Sequence, residues 1–218
     1  LKYVGGNMKK LSKVFYITMS LIVLAVGYGA LAPESFEAIT TTIKTFVASS
    51  FGWYYMLLMT FMLALSIFFI FSPYGKIRLG KDSDRPQFST VTWIAMLFSA
   101  GMGIGLVFYG AAEPLSHYAI DPATTEPNTG AAFKESLRQT FFHWGFHVWA
   151  MYGVVGLSFA FFQFRKGEPG LISSTLKPIF GKRMEGPWGT LVDVLAVFAT
   201  AFGVATSLGL GAIQINAG

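Results

Sequence analysis

Five stretches of this chain run for about 19 residues or more without an Asp, Glu, Lys or Arg: Val14 to Ala32, Phe51 to Tyr74, Ser89 to Ala112, Gln139 to Phe164, and Val194 to Gly218. Each is long enough to cross about 30 Å of hydrocarbon as an α-helix. The charged residues fall between these runs, so the pattern predicts an all-α integral membrane chain with five transmembrane helices. The first run is long and is not closed by a small-residue cleavage pattern, so it reads as a retained span. The third run departs from the rest, because Gly101, Gly103 and Gly105 alternate in its middle. Glycine costs a helix interior about 1 kcal/mol relative to alanine, and a backbone group freed in lipid needs a partner or a water-lined cavity. Two structures fit: a discontinuous helix that exposes backbone to a ligand, or a small-residue seam for helix packing.

Between the spans, residues 115–137 are mostly polar, with turn signals at Asp121-Pro122 and from Glu126 to Gly130, and read as an external loop. Residues 168–181 are too short to span and are flanked by basic residues, which predicts an interfacial amphipathic helix lying on membrane lipids. The last run ends in glycine-rich sequence from Gly209 to Gly218 without a polar tail, and reads as cut short. No internal repeat is evident, as one copy of a larger repeat would require.

Composition agrees: 53% of the residues are hydrophobic and 12% charged, with a mean hydropathy of +0.54, against about 25% charged in a soluble domain. The net charge of +5 does not point to nucleic acid, because the basic residues alternate between connections. Lys9, Lys10 and Lys13 precede the first span; Lys76, Arg78, Lys81 and Arg85 follow the second; Arg165, Lys166, Lys177, Lys182 and Arg183 follow the fourth. The intervening connections carry Glu34, Glu37 and Lys44, then Glu113, Asp121, Glu126, Lys134, Glu135 and Arg138. The positive-inside rule then puts the N-terminus in the cytoplasm. With no cysteine, disulfides and thiolate metal sites are excluded.

Candidate chemistry lies in the last three spans. Taken as one helix at about 100° per residue, the fourth places Trp144, Trp149 and Tyr152 within an arc of about 140°. Aromatic faces converging where no side chain is charged suit a quaternary ammonium; the alternative is an aromatic belt at the interface. His143 and His147 stand at i and i+4 on one face, a spacing that can bind zinc, but without the Glu of an H-E-x-x-H motif they read as polar helix-packing residues, with His117 off in the external loop. Thr200, Thr206 and Ser207 put hydroxyls into the fifth span, as ligands for a hard cation such as Na⁺ or bonded to their own helix carbonyls. Asp193 reads as a first-turn carboxylate of that helix.

Three blocks in this order carry a family likeness: Gly101 to Gly105 with Phe108-Tyr-Gly and Glu113-Pro114; the His143, Trp144, His147, Trp149, Tyr152 pattern; and Ser207-Leu-Gly-Leu-Gly-Ala-Ile-Gln. In them, and over about residues 9 to 218, the chain resembles the betaine/carnitine/choline transporters. The resemblance implies a twelve-helix, LeuT-like inverted-repeat fold, of which this chain holds a cytoplasmic segment (1–13), two accessory helices (14–74) and the first three helices of repeat one (89–218). It implies that Trp144, Trp149 and Tyr152 hold a trimethylammonium group; the substrate's carboxylate is expected at the glycine-rich backbone of Gly101, Gly103 and Gly105. It further implies that backbone groups of Ser99 and Met102, with Thr200, serve Na⁺, and that the assembly is a homo-trimer in the bacterial cytoplasmic membrane. Gly105 stands where choline-preferring members carry an acidic residue, which favours a zwitterion such as glycine betaine. Val204 departs from the threonine that pairs with Thr200's counterpart in sodium-coupled members. Val148 departs from a proline and should soften the bend before Trp149. The expected activity is therefore import of glycine betaine or a related compatible solute by Na⁺ symport, without covalent chemistry or any cofactor beyond the coupling ion. The alternatives are a sodium-independent carnitine or betaine exchanger and a membrane protein that binds or senses betaine without transport.

Overall fold

A computed structural model describes residues 11–217, so the expectations placed on Lys9, Lys10, the rest of the first ten residues and Gly218 lie outside the described residues. The described residues form helices and turns, with no strand among them. They divide into two compact units: one holds residues up to Gly52 together with 167–202, the other Trp53–Lys166 together with residues from Gly203 on.

In the first unit α1 (Lys13–Leu31) starts at Ser12, whose hydroxyl accepts from the Phe15 amide at 3.2 Å, the usual way to satisfy an orphan donor of the first turn. Ala32 ends it and Pro33 opens α2 (Pro33–Phe71), whose residues beyond Gly52 belong to the second unit; at this first position a missing N–H costs nothing. The corner is fastened by a 2.7 Å hydrogen bond between the Tyr28 and Ser35 hydroxyls and by edge-to-face packing of Tyr28 on Phe36. α2 corrects the expected connection over 33–50: Glu34, Glu37 and Lys44 lie on 39 residues of continuous helix. Charge disqualifies a segment from hydrocarbon, but it does not end a helix, and no glycine or second proline interrupts residues 34–51.

The interfacial candidate at 168–181 is helical as α7 (Ile172–Phe180). Its second residue, Ser173, donates its amide (3.0 Å) and hydroxyl (2.7 Å) to the buried carboxylate of Asp193. Asp193 is therefore not in the first turn of its own helix, because α8 (Pro187–Ala217) begins six residues earlier. It caps the neighbouring helix instead, supplying the acceptor that α7's first turn lacks.

In the second unit α3 (Thr90–Gly101), capped by Ser89, and α4 (Ile104–Ala119) form one apolar span broken at Met102–Gly103 and bent by 46°. Residues 115–137 are not one loop: α4 runs on to Ala119 and α5 (Gly130–His143) begins seven residues before 137, leaving a short connection. Thr129 caps α5, accepting from Ala132 N. The connection is pinned by buried Glu135, which accepts from the Thr124 amide and from the hydroxyls of Thr124 and Thr125 at 2.8 and 2.6 Å. The fourth span is likewise broken: Trp144 ends α5, Gly145 precedes α6 (Phe146–Ala160), and a π turn over Phe161–Arg165 closes it. Arg165 then donates to Gly80 O at 2.8 Å and Asp82 Oδ1 at 2.6 Å, holding the polar loop before α3.

Among the described residues, four helices are long and apolar enough to cross a membrane when α5 and α6 are taken together, and five when α3 and α4 are counted as one bent span.

Candidate functional site

The glycines decide where α3 stops. Phe98 O still accepts from Met102 N, and Gly103 O accepts from Leu106 N and Val107 N as α4 starts. Between them lie the last carbonyls of α3, Ser99's included, and the first amides of α4, groups at helix ends where α-helical pairing stops. The two ends carry opposite partial charge, negative at the carbonyls and positive at the amides. A Cβ added at Gly103 would meet nothing within 4 Å, so the break has open space beside it.

The aromatic residues of the fourth span come up against this break. A Cβ at Gly101 would lie 3.4 Å from Trp149 Cη2, and one at Gly105 would lie 3.9 Å from Trp144 Cη2. The rings reach these positions by a route the one-helix reading does not contain. Trp144 ends α5 and Trp149 belongs to α6, so their shared direction is not a matter of helical periodicity. A short-range device sets it: Trp149 Nε1–H donates at 3.0 Å to the Trp144 carbonyl, an acceptor left over at the end of α5. Tyr152 packs edge-to-face on Trp149 at 6.0 Å between centroids and is 62% exposed. Tyr109 lies 6.4 Å from Trp144.

Gly145 makes the bend. A Cβ there would stand 2.5 Å from Phe141 O, so any larger residue must displace backbone. The bend expected to be soft at Val148 is thus present three residues earlier. It also separates the histidines: His143 belongs to α5 and His147 to α6, where its ring packs 5.0 Å from Phe142. They do not share a helix face.

Glu113, which sequence reading left as a loop charge, is the polar centre of this region. It sits on α4 and accepts from Trp144 Nε1 at 2.6 Å through Oε2, and pairs with His143 Nδ1 at 2.5 Å through Oε1. His117, one turn further along α4, brings Nε2 to 3.6 Å from Oε1. The contacts to His143 and Trp144 span 30 and 31 positions in the chain, and only the pairing of α4 with α5 creates them.

The residues assigned to sodium divide. Ser99 and Met102 are at the break in the second unit; Thr200 is on α8 in the first unit, its hydroxyl donating to Ala196 O at 2.8 Å. That bond uses the hydroxyl proton and leaves the oxygen's lone pairs able to ligate. Trp149 also lines a cavity of about 690 Å³ between α2 and α6, which Trp144, Tyr152 and the glycines do not reach. Its two serines, Ser66 and Ser158, donate to carbonyls of their own helices, so it is an apolar space.

Among known proteins, the profile of the BCCT transporters, the betaine/carnitine/choline family, matches residues 13–218. The chain is 54% identical over 211 residues to the glycine betaine transporter OpuD of Bacillus subtilis, covering 97% of this chain and 41% of that protein. It is 47% identical to a probable glycine betaine transporter of Desulfitobacterium hafniense, covering 98% of this chain and 43% of that protein. To an ectoine/hydroxyectoine transporter of Virgibacillus pantothenticus it is 43% identical, over 94% of this chain and 41% of the relative. The chain thus spans less than half the length of these relatives.

Proposed function

The chain belongs to the betaine/carnitine/choline family of transporters, and from that premise we propose that it forms part of a secondary active importer of glycine betaine, driven by Na⁺. The observation that carries the reading is the approach of Trp149 to Gly101 and of Trp144 to Gly105. Aromatic faces attract the diffuse charge of a trimethylammonium, while the amide end of a half-helix suits a carboxylate. A zwitterion of betaine length has both. The carbonyl end of α3, at Ser99 and Met102, suits Na⁺ by the same polarity. Gly103 leaves room, and Tyr152 extends the aromatic wall. Thr200 keeps, as a proposal, the sodium role that the resemblance gives it.

In this reading α1 and α2 are accessory helices, and the later spans are the first three of a repeat in a twelve-helix, LeuT-like transporter working by alternating access. The protein sits in the bacterial cytoplasmic membrane with its N-terminus inside, as a trimer, with α7 against the lipids. The test is uptake of labelled glycine betaine by proteoliposomes holding the complete transporter that contains this chain. Accumulation should follow an inward Na⁺ gradient, and Thr200→Ala should raise the Na⁺ concentration for half-maximal uptake. Uptake driven only by internal betaine or carnitine would replace the reading with an exchanger, the outcome to which Val204 points. Binding without uptake would replace it with a sensor.

A further inference from the structure

We propose that Glu113, His117 and His143 form a binding site for a divalent first-row transition metal, and that zinc is the ion it fits best. The three side chains each offer one ligand atom, and these atoms lie within 4.8 Å of one another. Ligands about 2.0–2.2 Å from a tetrahedral zinc are a little over 3 Å apart, so small side-chain rotations suffice. Two imidazoles and one carboxylate form a zinc donor set that leaves a fourth position for water. The same set is too poor in oxygen for Ca²⁺ or Mg²⁺.

The surrounding groups orient the ligands as a metal requires. His117 Nδ1 is 3.4 Å from Asp121 O. A carbonyl only accepts, so Nδ1 is the nitrogen that donates to it, and Nε2 is the nitrogen that faces the Glu113 carboxylate, 3.6 Å away. Nε2 and the carboxylate oxygen are thus placed to share a cation. Trp144 Nε1–H occupies the other carboxylate oxygen and fixes its plane, the supporting role that partners of metal ligands commonly play. At His143 the metal replaces the proton that joins Nδ1 to Glu113 Oε1, leaving the ring's proton on Nε2. His143 and Glu113 are partly open to the surroundings, with side chains 48% and 14% exposed, so an ion can enter. When bound, it ties the C-terminal part of α4 to the end of α5, next to the bend that carries Trp144. The site stands whether or not the chain moves betaine.

The test is titration of the purified complete transporter that contains this chain, in detergent, with Co²⁺, followed by displacement with Zn²⁺. Tetrahedral visible absorption should appear at one equivalent and be abolished by Zn²⁺, with excess Mg²⁺ without effect. His117→Ala and His143→Ala should each weaken binding by more than about 100-fold, since losing a supporting partner alone costs 10- to 100-fold. His147→Ala should bind as the unmodified transporter does. If His143→Ala changes the circular dichroism, His117→Gln decides, because it leaves the His143–Glu113 pair in place. No Co²⁺ spectrum in the unmodified transporter, or binding that survives His117→Gln, overturns the proposal. Betaine is absent from the titration, so either outcome leaves the transport reading to its own test.

Discussion

Replacing Gly105 tests the charge logic of the break most directly. A Cβ at this position meets only Trp144 Cη2, at 3.9 Å, an ordinary van der Waals distance. Gly105→Ala therefore adds contact without a clash, and in the first turn of a helix it does not strain the backbone. Gly105→Asp adds the same Cβ and a carboxylate that reaches beyond it, into the space where a betaine carboxylate would meet the α4 amides. Two like charges about 5 Å apart at an effective dielectric near 20 repel by roughly 3 kcal/mol, on the order of a hundredfold in affinity. Choline carries the trimethylammonium without the carboxylate, so the same substitution should attract it. In competition uptake by the complete transporter, Gly105→Ala should keep betaine within a few fold. Gly105→Asp should lose about two orders of magnitude for betaine while choline becomes the better competitor. If Ala and Asp lose betaine equally and neither gains choline, Gly105 serves packing alone and the zwitterion assignment falls.

Three further outcomes follow from the geometry. Trp149→Leu should weaken betaine binding by about 1 to 2 kcal/mol, the range of a desolvated cation–π contact, whereas Trp149→Phe should lose less, keeping a ring but not the N–H to Trp144 O; equal, near-native affinities would mean that the ring faces lipid, as a belt residue does. Gly145→Ala should destabilise the protein in detergent by about 1–3 kcal/mol, as overpacking does, because its Cβ strikes Phe141 O although its φ of −89° is open to alanine; an unchanged melting temperature would refute the steric account of the bend. The Arg165 guanidinium holds the Asp82 carboxyl below its ordinary range, so this tie is complete above the usual aspartate pKa and is lost as pH falls through the depressed value. Proteolysis of the 77–88 loop should rise at acid pH, and Asp82→Asn should expose the loop at neutral pH too; a cleavage rate that Asp82→Asn leaves unchanged would show that the pair does not hold it.

What could be read from the chain beforehand was local. The α3–α4 break is legible because Gly101, Gly103 and Gly105 crowd into five residues, and the capping of α1 and α3 follows from Ser12 and Ser89 just ahead of apolar runs. Helix over 33–50 was hidden because charge was used to mark the edge of the membrane, and Glu34, Glu37 and Lys44 are as comfortable on a helix in water as on a loop. Gly145 was passed over because a lone glycine in an apolar run is ordinarily tolerated; only its distance to Phe141 O reveals that it must be glycine. Glu113 was unreadable for a different reason. Its partners His143 and Trp144 are 30 and 31 residues away, and no periodicity links one helix to the next.

The two breaks that meet in the second unit differ in how their ends are closed, and this difference bears on the roles proposed for them. At α5–α6 the chain supplies its own partner: the Trp144 carbonyl accepts from the Trp149 indole N–H, and the Trp144 indole N–H donates to Glu113. With both tryptophan N–H groups committed to protein acceptors, neither ring needs a ligand for its polar edge, and each is left to present its apolar face. That bend is a positioning device. At α3–α4 the residues between the helices are Met102 and Gly103, and at Gly103 nothing lies within 4 Å of where a side chain would begin. A membrane-embedded break whose polar ends face open space carries a cost that packing does not offset. A bound ion and a bound zwitterion would offset it, which is the ground for proposing ligand binding at the glycine break, with the tryptophans as its wall.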